Sequence, residues 1–229
     1  MGLEIKSPPR ISRQGFVRLL EAARSPAAPV AGMCYDVIAG YGLDPAIGLA
    51  MFQHESTYGT KGAAVSTHNW GNVRPPASGW LQAHGLNDGQ NSSWLLFRQR
   101  TNEPAGGEWL RSCELWAILV DELYVSRWGL LTVEQAIQKY APSADGNKPN
   151  AYAAAVVGLV AFWAEEYPPV AAEPAPDLLA LLQVLLTALE VRVAAIEFAP
   201  PCWGPPVEAV EFAPATTTGA AKLDDEIPY

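Results

Sequence analysis

A proline-rich stretch near residue 170 most strongly limits how this chain can fold, because it divides the sequence into two unequal parts. Residues 167–176 read Tyr-Pro-Pro-Val-Ala-Ala-Glu-Pro-Ala-Pro, and prolines at this spacing block both helix and sheet. We therefore predict a stiff linker over residues 168–176. It separates an N-terminal domain, residues 1–167, which is long enough to bury a core of its own, from a shorter C-terminal part.

The N-terminal part has the pattern of short helices separated by turn residues. Asp44 and Pro45 form a helix start, because Asp can cap the first turn and Pro suits the first helical position. This helix is expected to reach about Ser56, with Gly59 as its terminator. Further helices are predicted over residues 108–125, after the capping-box sequence of residues 132–135, and from Asn150 to about Glu166.

Residues 65–97 break this helical pattern. They are rich in Gly, Asn, Pro and Ser, with Trp70, Trp80 and Trp94 among them, and they show no helical period. Such a segment predicts a small β lobe or an ordered loop. The expected fold class is therefore mainly α, with a helical lobe, a small β lobe and a C-terminal apolar helix.

That C-terminal helix is predicted over residues 177–198. Its polar residues Gln183, Thr187 and Glu190 form one narrow stripe, which leaves two apolar seams. We expect the segment from Leu178 to Ile196 to make a homo-oligomer or to bind a partner protein; the alternatives are packing back on the same chain and a membrane span. Polar residues shorten the apolar run below the ~18 residues of a span, so no span is expected. Residues 199–229 are predicted to be a Pro-rich, partly disordered tail.

Composition argues against several function classes. The net charge of −9, with only 15 Lys and Arg residues, argues against a nucleic-acid partner, because phosphate binding needs clustered cations. Cys34, Cys113 and Cys202 are an odd, widely spaced set and are expected to be free thiols. The chain's three histidines lack ligand spacing, so no metal is expected. No Gly-rich phosphate loop is present either, and no cofactor is expected.

Glu55 is the first candidate for chemistry. On the predicted helix it follows Phe52 by three residues and Met51 by four, which places its carboxyl beside the apolar face. A carboxyl held against apolar groups keeps its proton near neutral pH, and such a group can act as a general acid on a glycosidic oxygen. The alternative is a glutamate at a frayed helix end that faces water.

The neighbourhood of Glu55 resembles a known enzyme family. The matching stretches are residues 43–46, 52–60 (Phe-Gln-His-Glu-Ser-Thr-Tyr-Gly-Thr) and 69–74 (Asn-Trp-Gly-Asn-Val-Arg), followed by residues 140–145 and Tyr152. They resemble the endo-β-N-acetylglucosaminidase family, the family 73 glycoside hydrolases of autolysins and phage lysins, over residues 11–166. The resemblance implies a lysozyme-like fold, a peptidoglycan substrate and Glu55 as the catalytic acid. It also marks Asn72 and Tyr152 as candidate substrate-binding residues.

Two further residues are candidates for the catalytic machinery. The family's second acid, where one is assigned, lies some tens of residues after the first, and Asp88 is the acid at that distance here. Its Asn87-Asp88-Gly89 context is also that of an ordinary turn. Tyr140 is expected to orient the acetamido group or the attacking water, with a core tyrosine as the alternative. If Asp88 has no catalytic role, the substrate's own acetamido group can serve as nucleophile.

The tryptophans of residues 65–97 are candidates for sugar binding. Indole rings pack well on the CH faces of pyranose sugars, so Trp70, Trp80 and Trp94 could each stack on substrate, and each could equally belong to the core. Trp80, which lies between Gly79 and Leu81, is the strongest of the three.

The sequence thus predicts a hydrolase that cuts peptidoglycan between N-acetylglucosamine and N-acetylmuramic acid. The alternatives are a muramidase or lytic transglycosylase on a similar fold, or a non-catalytic wall-binding or virion-structural protein. The N-terminus shows no apolar signal-peptide core. We therefore expect the protein to reach the bacterial wall after a lysis-type release or as part of a virion.

Overall fold

Helical segments make up 55% of the part of the chain that the computed structural model describes, residues 2–76 and 78–169, and seven of them are α-helices. The predicted mainly helical class is confirmed. The helices are α1 (Arg13–Ala22), α2 (Ala31–Gly40), α3 (Pro45–Ser56), α4 (Ala64–Thr67), α5 (Gly107–Ile118), α6 (Val133–Tyr140) and α7 (Pro149–Glu166). A π-helical segment, Leu119–Arg127, continues α5. Single 3-10 turns lie at Ala28–Val30, Gln82–His84 and Ser143–Asp145.

Helix α3 is the central helix of the core. Its start is the predicted one, because the Asp44 side chain caps it by accepting from Ala46 N at 3.0 Å and Pro45 takes the first position. Every residue from Pro45 to Phe52 is buried. A helix that is apolar on all sides needs partners all round, and the polar residues of α3 are confined to its last turn.

The other helices pack around this central one. α7 packs against both α3 and α6, while α2 packs against α1, α3 and α5. The N-terminal residues bond to the segments before α3 and before α6, because Ile5 N donates to Leu131 O at 3.0 Å and Ile5 O accepts from Asp44 N, also at 3.0 Å. This segment therefore ties the start of α3 to the start of α6.

Most predicted helix ends agree with the structure. The Thr132 and Gln135 side chains form the predicted capping box of α6, and α3 ends at Ser56 as expected. α7 begins at Pro149, one residue before the predicted cap Asn150. The helix predicted over residues 108–125 is α5 together with the π-helical segment, a change of helical pitch that the sequence pattern did not reveal.

The segment between α4 and α5 contains little regular structure. Its two strands, β1 (Gln90–Asn91) and β2 (Trp94–Leu95), pair antiparallel, with Gln90 opposite Leu95 and Asn91 opposite Trp94. Cys34 and Cys113 are buried free thiols, as predicted. Cys202, nearly all of the predicted linker, the helix of residues 177–198 and the tail of residues 199–229 lie outside the described residues. Within the described part, no helix combines the length and hydropathy needed to cross a bilayer.

Gly59 follows the end of α3 at a point of close approach. Thr57, Tyr58 and Gly59 all have positive φ angles, 49°, 58° and 83°, which is a left-handed run that reverses the chain. A Cβ at Gly59 would lie 2.5 Å from Cζ3 of the buried Trp109 ring. Gly62 also has a positive φ, 67°, but a Cβ there would meet nothing within 4 Å.

We expect Gly59→Ala to destabilise the protein more than Gly62→Ala. Both changes place a side chain in the left-handed region, which costs about 1–2 kcal/mol. Only Gly59→Ala also drives a methyl group into a packed ring, which adds about 1–3 kcal/mol. Urea denaturation of both variants measures the difference, and equal losses would show that Trp109 yields without cost.

Candidate active site

The last turn of α3 presents Glu55, and the residue after it anchors that turn. The buried Ser56 hydroxyl donates to Trp70 O at 2.8 Å and accepts from Gly59 N at 2.9 Å. One hydroxyl thus joins the helix end, the left-handed run and the loop that begins near residue 69. These bonds explain why Ser56 and Gly59 follow Glu55 by one and four residues.

That loop, residues 69–73, is held by Asn69, which is fully buried. The Asn69 amide nitrogen donates to Val73 O at 2.8 Å and to Leu95 O at 3.1 Å, and its carbonyl oxygen accepts from Val73 N at 2.9 Å. These bonds close the loop on itself and fix it to β2. Because both polar side-chain atoms of Asn69 have partners, the loop is a rigid support.

Asn72 lies at the tip of this loop and contacts Glu55 directly. Its amide nitrogen donates to Glu55 O at 2.9 Å and to Glu55 Oε2 at 3.0 Å. Asn72 has a φ of 48°, a left-handed conformation that is uncommon for a non-glycine residue and is concentrated at functional sites. The predicted site residues Glu55 and Asn72 are therefore adjacent, with Asn72 holding the carboxyl in place.

Gly71 and Tyr140 form the next layer of this site. The buried Tyr140 hydroxyl donates to Gly71 O, and a Cβ at Gly71 would lie 3.0 Å from Cδ1 of Trp116 and 3.2 Å from the Tyr140 hydroxyl. A side chain here would push these rings back by a few tenths of an ångström, so a glycine gives the loop its closest passage between them. Tyr140 lines the same cleft as Glu55, and its hydroxyl is bonded to the loop backbone; its role in orienting the substrate stays a prediction.

The environment of Glu55 favours its protonated form. Burial raises the pKa of Glu55, although the hydrogen bond from Asn72 opposes the shift. Tyr124, Tyr140 and Tyr152 surround the carboxyl, and burial followed by the charge of Glu55 raises the pKa of each. The site therefore contains one carboxylic acid among neutral phenols, as a general acid requires.

A cleft of about 360 Å³ opens on Glu55. It is lined by residues 72–76 and Trp94, by residues of the π-helical segment and of the end of α6, and by four residues that follow α6, Ala141, Pro142, Asp145 and Asn147. Its charged lining residues are Glu55, Arg74, Lys139 and Asp145. A second hollow, of about 580 Å³ between α3 and α7, has no carboxyl group in its lining, which includes Gln53, His54 and Gly158. The first cleft is the site with acid chemistry.

The raised pKa predicts how stability depends on pH. Because the folded protein disfavours the ionised form of Glu55, the stability that its protonated form contributes is complete at low pH and is lost as pH rises through the raised pKa. Each pKa unit corresponds to about 1.4 kcal/mol. We expect Glu55→Gln to be more stable than wild type at about pH 7, with a gap that closes toward about pH 4. Denaturation across this range measures it; a constant gap would contradict the prediction.

Asp88 does not line the cleft. It accepts hydrogen bonds from Arg98 N at 2.8 Å and Arg111 Nη1 at 2.9 Å, and it pairs with Arg100 at 2.8 Å. Its partial burial alone would raise its pKa, but these donors outweigh burial and lower the pKa of Asp88. A carboxylate held this way is an anchor for the irregular segment, so its position gives no support to the predicted role as second catalytic acid.

The predicted sugar-binding residues are only partly brought together. Trp70 is fully buried and stacks on Phe52, with ring centroids 4.1 Å apart. It therefore offers no face to a sugar and belongs to the core. Trp80 is half-buried, contacts His84 edge-on at 5.9 Å and does not line the cleft. Tyr152 is buried beside Glu55 and stacks on His54 at 3.7 Å, so it supports the acid from within the core.

Three cleft residues were not assigned roles from sequence. Tyr124 comes from the π-helical segment, and Arg74 and Asp145 face each other across the cleft in an ion pair of 3.2 Å. Arg74 and Asp145 lie within stretches that resemble the family, which was the available signal. Tyr124 had none, because a π-helical turn alters which face a residue occupies.

No group of three or more His, Cys, Asp or Glu residues in residues 2–76 and 78–169 is placed to hold a metal ion. Comparisons with protein-family models, with curated proteins and with solved structures found no match to this chain. The case for a function therefore rests on the residues and geometry of the cleft.

Proposed function

We propose that this chain is a peptidoglycan hydrolase that cuts the β-1,4 bond between N-acetylglucosamine and N-acetylmuramic acid. The observation that carries the proposal is Glu55, a carboxylic acid whose pKa is raised by burial and which lies in the wall of an open cleft. Such an acid can donate its proton to the glycosidic oxygen as the bond breaks. Asn72 keeps the carboxyl in one orientation, so the proton is presented to a fixed point.

We further propose that the fold is lysozyme-like and the activity that of an endo-β-N-acetylglucosaminidase. In this interpretation the helices carry Glu55 and Tyr140, and residues 65–97 with the β1–β2 hairpin form the small β lobe. The lining of the cleft supports this division, because it combines Trp94 and residues 72–76 with residues of the π-helical segment and α6. The enzyme would act on the bacterial wall as a free lysin or as a virion component.

The carboxylates of the cleft favour a mechanism with one essential acid. Apart from Glu55, the one carboxylate lining the cleft within the described residues is Asp145, and it is paired with Arg74. With Asp88 held by arginines outside the cleft, the substrate's acetamido oxygen is the nucleophile that we propose, attacking C1 while Glu55 protonates the leaving oxygen.

The same observation favours a second candidate, a lytic transglycosylase. In that reaction one acid suffices because a hydroxyl of the muramic acid itself attacks C1 and leaves an anhydro sugar. Both candidates use Glu55 in the same role, and their products distinguish them.

Mass spectrometry of digested peptidoglycan tests the proposal. Purified walls are digested with the full chain, and the fragments are reduced with borohydride. A glucosaminidase yields reduced N-acetylglucosamine ends, a muramidase yields reduced muramic acid ends, and a transglycosylase yields anhydro ends that resist reduction. A chain that sediments with walls but releases no fragments would be a wall-binding protein, and the proposed activity would be wrong.

A further inference from the structure

Arg74 stands at the mouth of the cleft with its guanidinium group held on one face. Its Cζ atom lies 5.0 Å from the centroid of the Trp94 ring, which is within the range of a cation–π contact. This contact holds the guanidinium beside the ring and leaves most of its N–H groups free for hydrogen bonds. Arg74 therefore presents a planar, always charged group of hydrogen-bond donors to a molecule that enters the cleft.

The hydrogen-bonding capacity of Arg74 is mostly unused. Within the described residues its side chain donates a single hydrogen bond, from Nη1 to Asp145 Oδ2 at 3.2 Å, out of five N–H donors. Both partners are well exposed, at 57% and 42% of the side chain. An exposed pair of this kind is worth about 0–1 kcal/mol, so another carboxylate can replace Asp145 without a large loss.

We infer that Arg74 is the residue that selects glycans bearing carboxylates, binding a substrate carboxylate in place of Asp145. The inference rests on the proposed function and names the substrate feature that the same cleft recognises. Arginine matches a carboxylate with two parallel hydrogen bonds, which a neutral sugar cannot supply. Lys139 lines the same cleft and adds a second positive charge near the bound anion.

The carboxylate can come from two places on a peptidoglycan strand. It is either the lactyl group of a muramic acid without its peptide or an acidic group of the attached stem peptide. The recognition chemistry is the same in both cases. Asp145 is the group that competes with either, so its removal should strengthen binding while the Trp94 ring keeps Arg74 oriented.

Binding measurements in the full chain carrying Glu55→Gln test this inference without turnover. Three probes are titrated by calorimetry: a neutral N-acetylglucosamine oligomer, a peptide-free glycan with lactyl carboxylates, and a peptide-bearing glycan. We expect Arg74→Gln to lower the affinity for a carboxylate-bearing glycan, relative to the neutral oligomer, by about 10- to 100-fold. Arg74→Lys should give an intermediate loss, because it keeps the charge but not the planar donor.

Two further variants complete the test. Asp145→Asn should raise affinity for the carboxylate-bearing glycan by up to about fivefold. Arg13→Gln removes another exposed Arg–Asp pair, at 2.8 Å between α1 and α2 and outside the lining of the cleft, and should leave the affinity for all three probes unchanged. Equal losses of affinity for neutral and charged glycans with Arg74→Gln, or weaker binding with Asp145→Asn, would overturn this inference and leave the proposed function standing. If the Glu55→Gln chain binds none of the three glycans and the wild-type chain cleaves none of them, the proposed function itself is wrong.

Discussion

Replacing Glu55 by Gln should reduce wall hydrolysis by a factor of about 10² to 10⁴, the usual contribution of a general acid. Gln keeps the shape of the side chain and can still accept the hydrogen bond from Asn72, but it has no proton to transfer. Because the buried charge is gone, the folded protein should be at least as stable as wild type at neutral pH. Release of soluble fragments from purified walls measures the loss of activity.

A matched control separates the chemistry from a general effect of the substitution. Glu21 is an exposed glutamate on α1, and Glu21→Gln makes the same change of charge and size outside the cleft. We expect it to keep wild-type hydrolysis and stability. Wild-type turnover by Glu55→Gln would remove Glu55 as the catalytic acid. A dead and destabilised Glu55→Gln would instead show that the carboxyl has a structural role.

The helical framework could be predicted because it depends on local signals. The capped start of α3 at Asp44 and Pro45 and the Thr132 capping box of α6 satisfy backbone N–H groups with side chains only a few residues away. All the residues that form such a signal lie within one helical turn of each other in the sequence. The π-helical segment Leu119–Arg127 has no comparable local signal, since its register follows from packing against the core.

The candidate site could be predicted only for residues whose neighbours in sequence are also their neighbours in the structure. Glu55 and Asn72 are adjacent in the structure because Ser56 and Asn69 join two segments by side-chain hydrogen bonds. The roles of Asp88 and Trp70 depended on long-range contacts. Whether an acid meets arginines, or a tryptophan meets a stacked ring, follows from tertiary packing that residue spacing does not encode.

Arg111 is the contact on which the irregular segment between α4 and α5 most depends. It projects from α5 with only 7% of its side chain exposed, and it pairs with Asp88 at 2.9 Å and with Glu103 at 2.7 Å. It also donates to the backbone oxygens of Leu86 and Arg98. One buried cation thus holds four points of a segment that has only two short strands of its own.

We expect Arg111→Met to cost about 3–5 kcal/mol of unfolding free energy, since it leaves Glu103 without its cation, Asp88 with only the more exposed Arg100, and two backbone oxygens without a donor. Arg100→Met is the matched control, because Arg100 pairs with the same Asp88 at 2.8 Å but has 43% of its side chain exposed; it should cost about 0–1 kcal/mol. Urea denaturation measures both.

Adding Asp88→Asn to Arg111→Met should recover part of the loss, because the two sites are coupled. A loss no greater than that of Arg100→Met would mean that packing alone holds the segment. Since Trp94 lies on β2 within it, Arg111→Met should also weaken the cleft wall that carries Arg74.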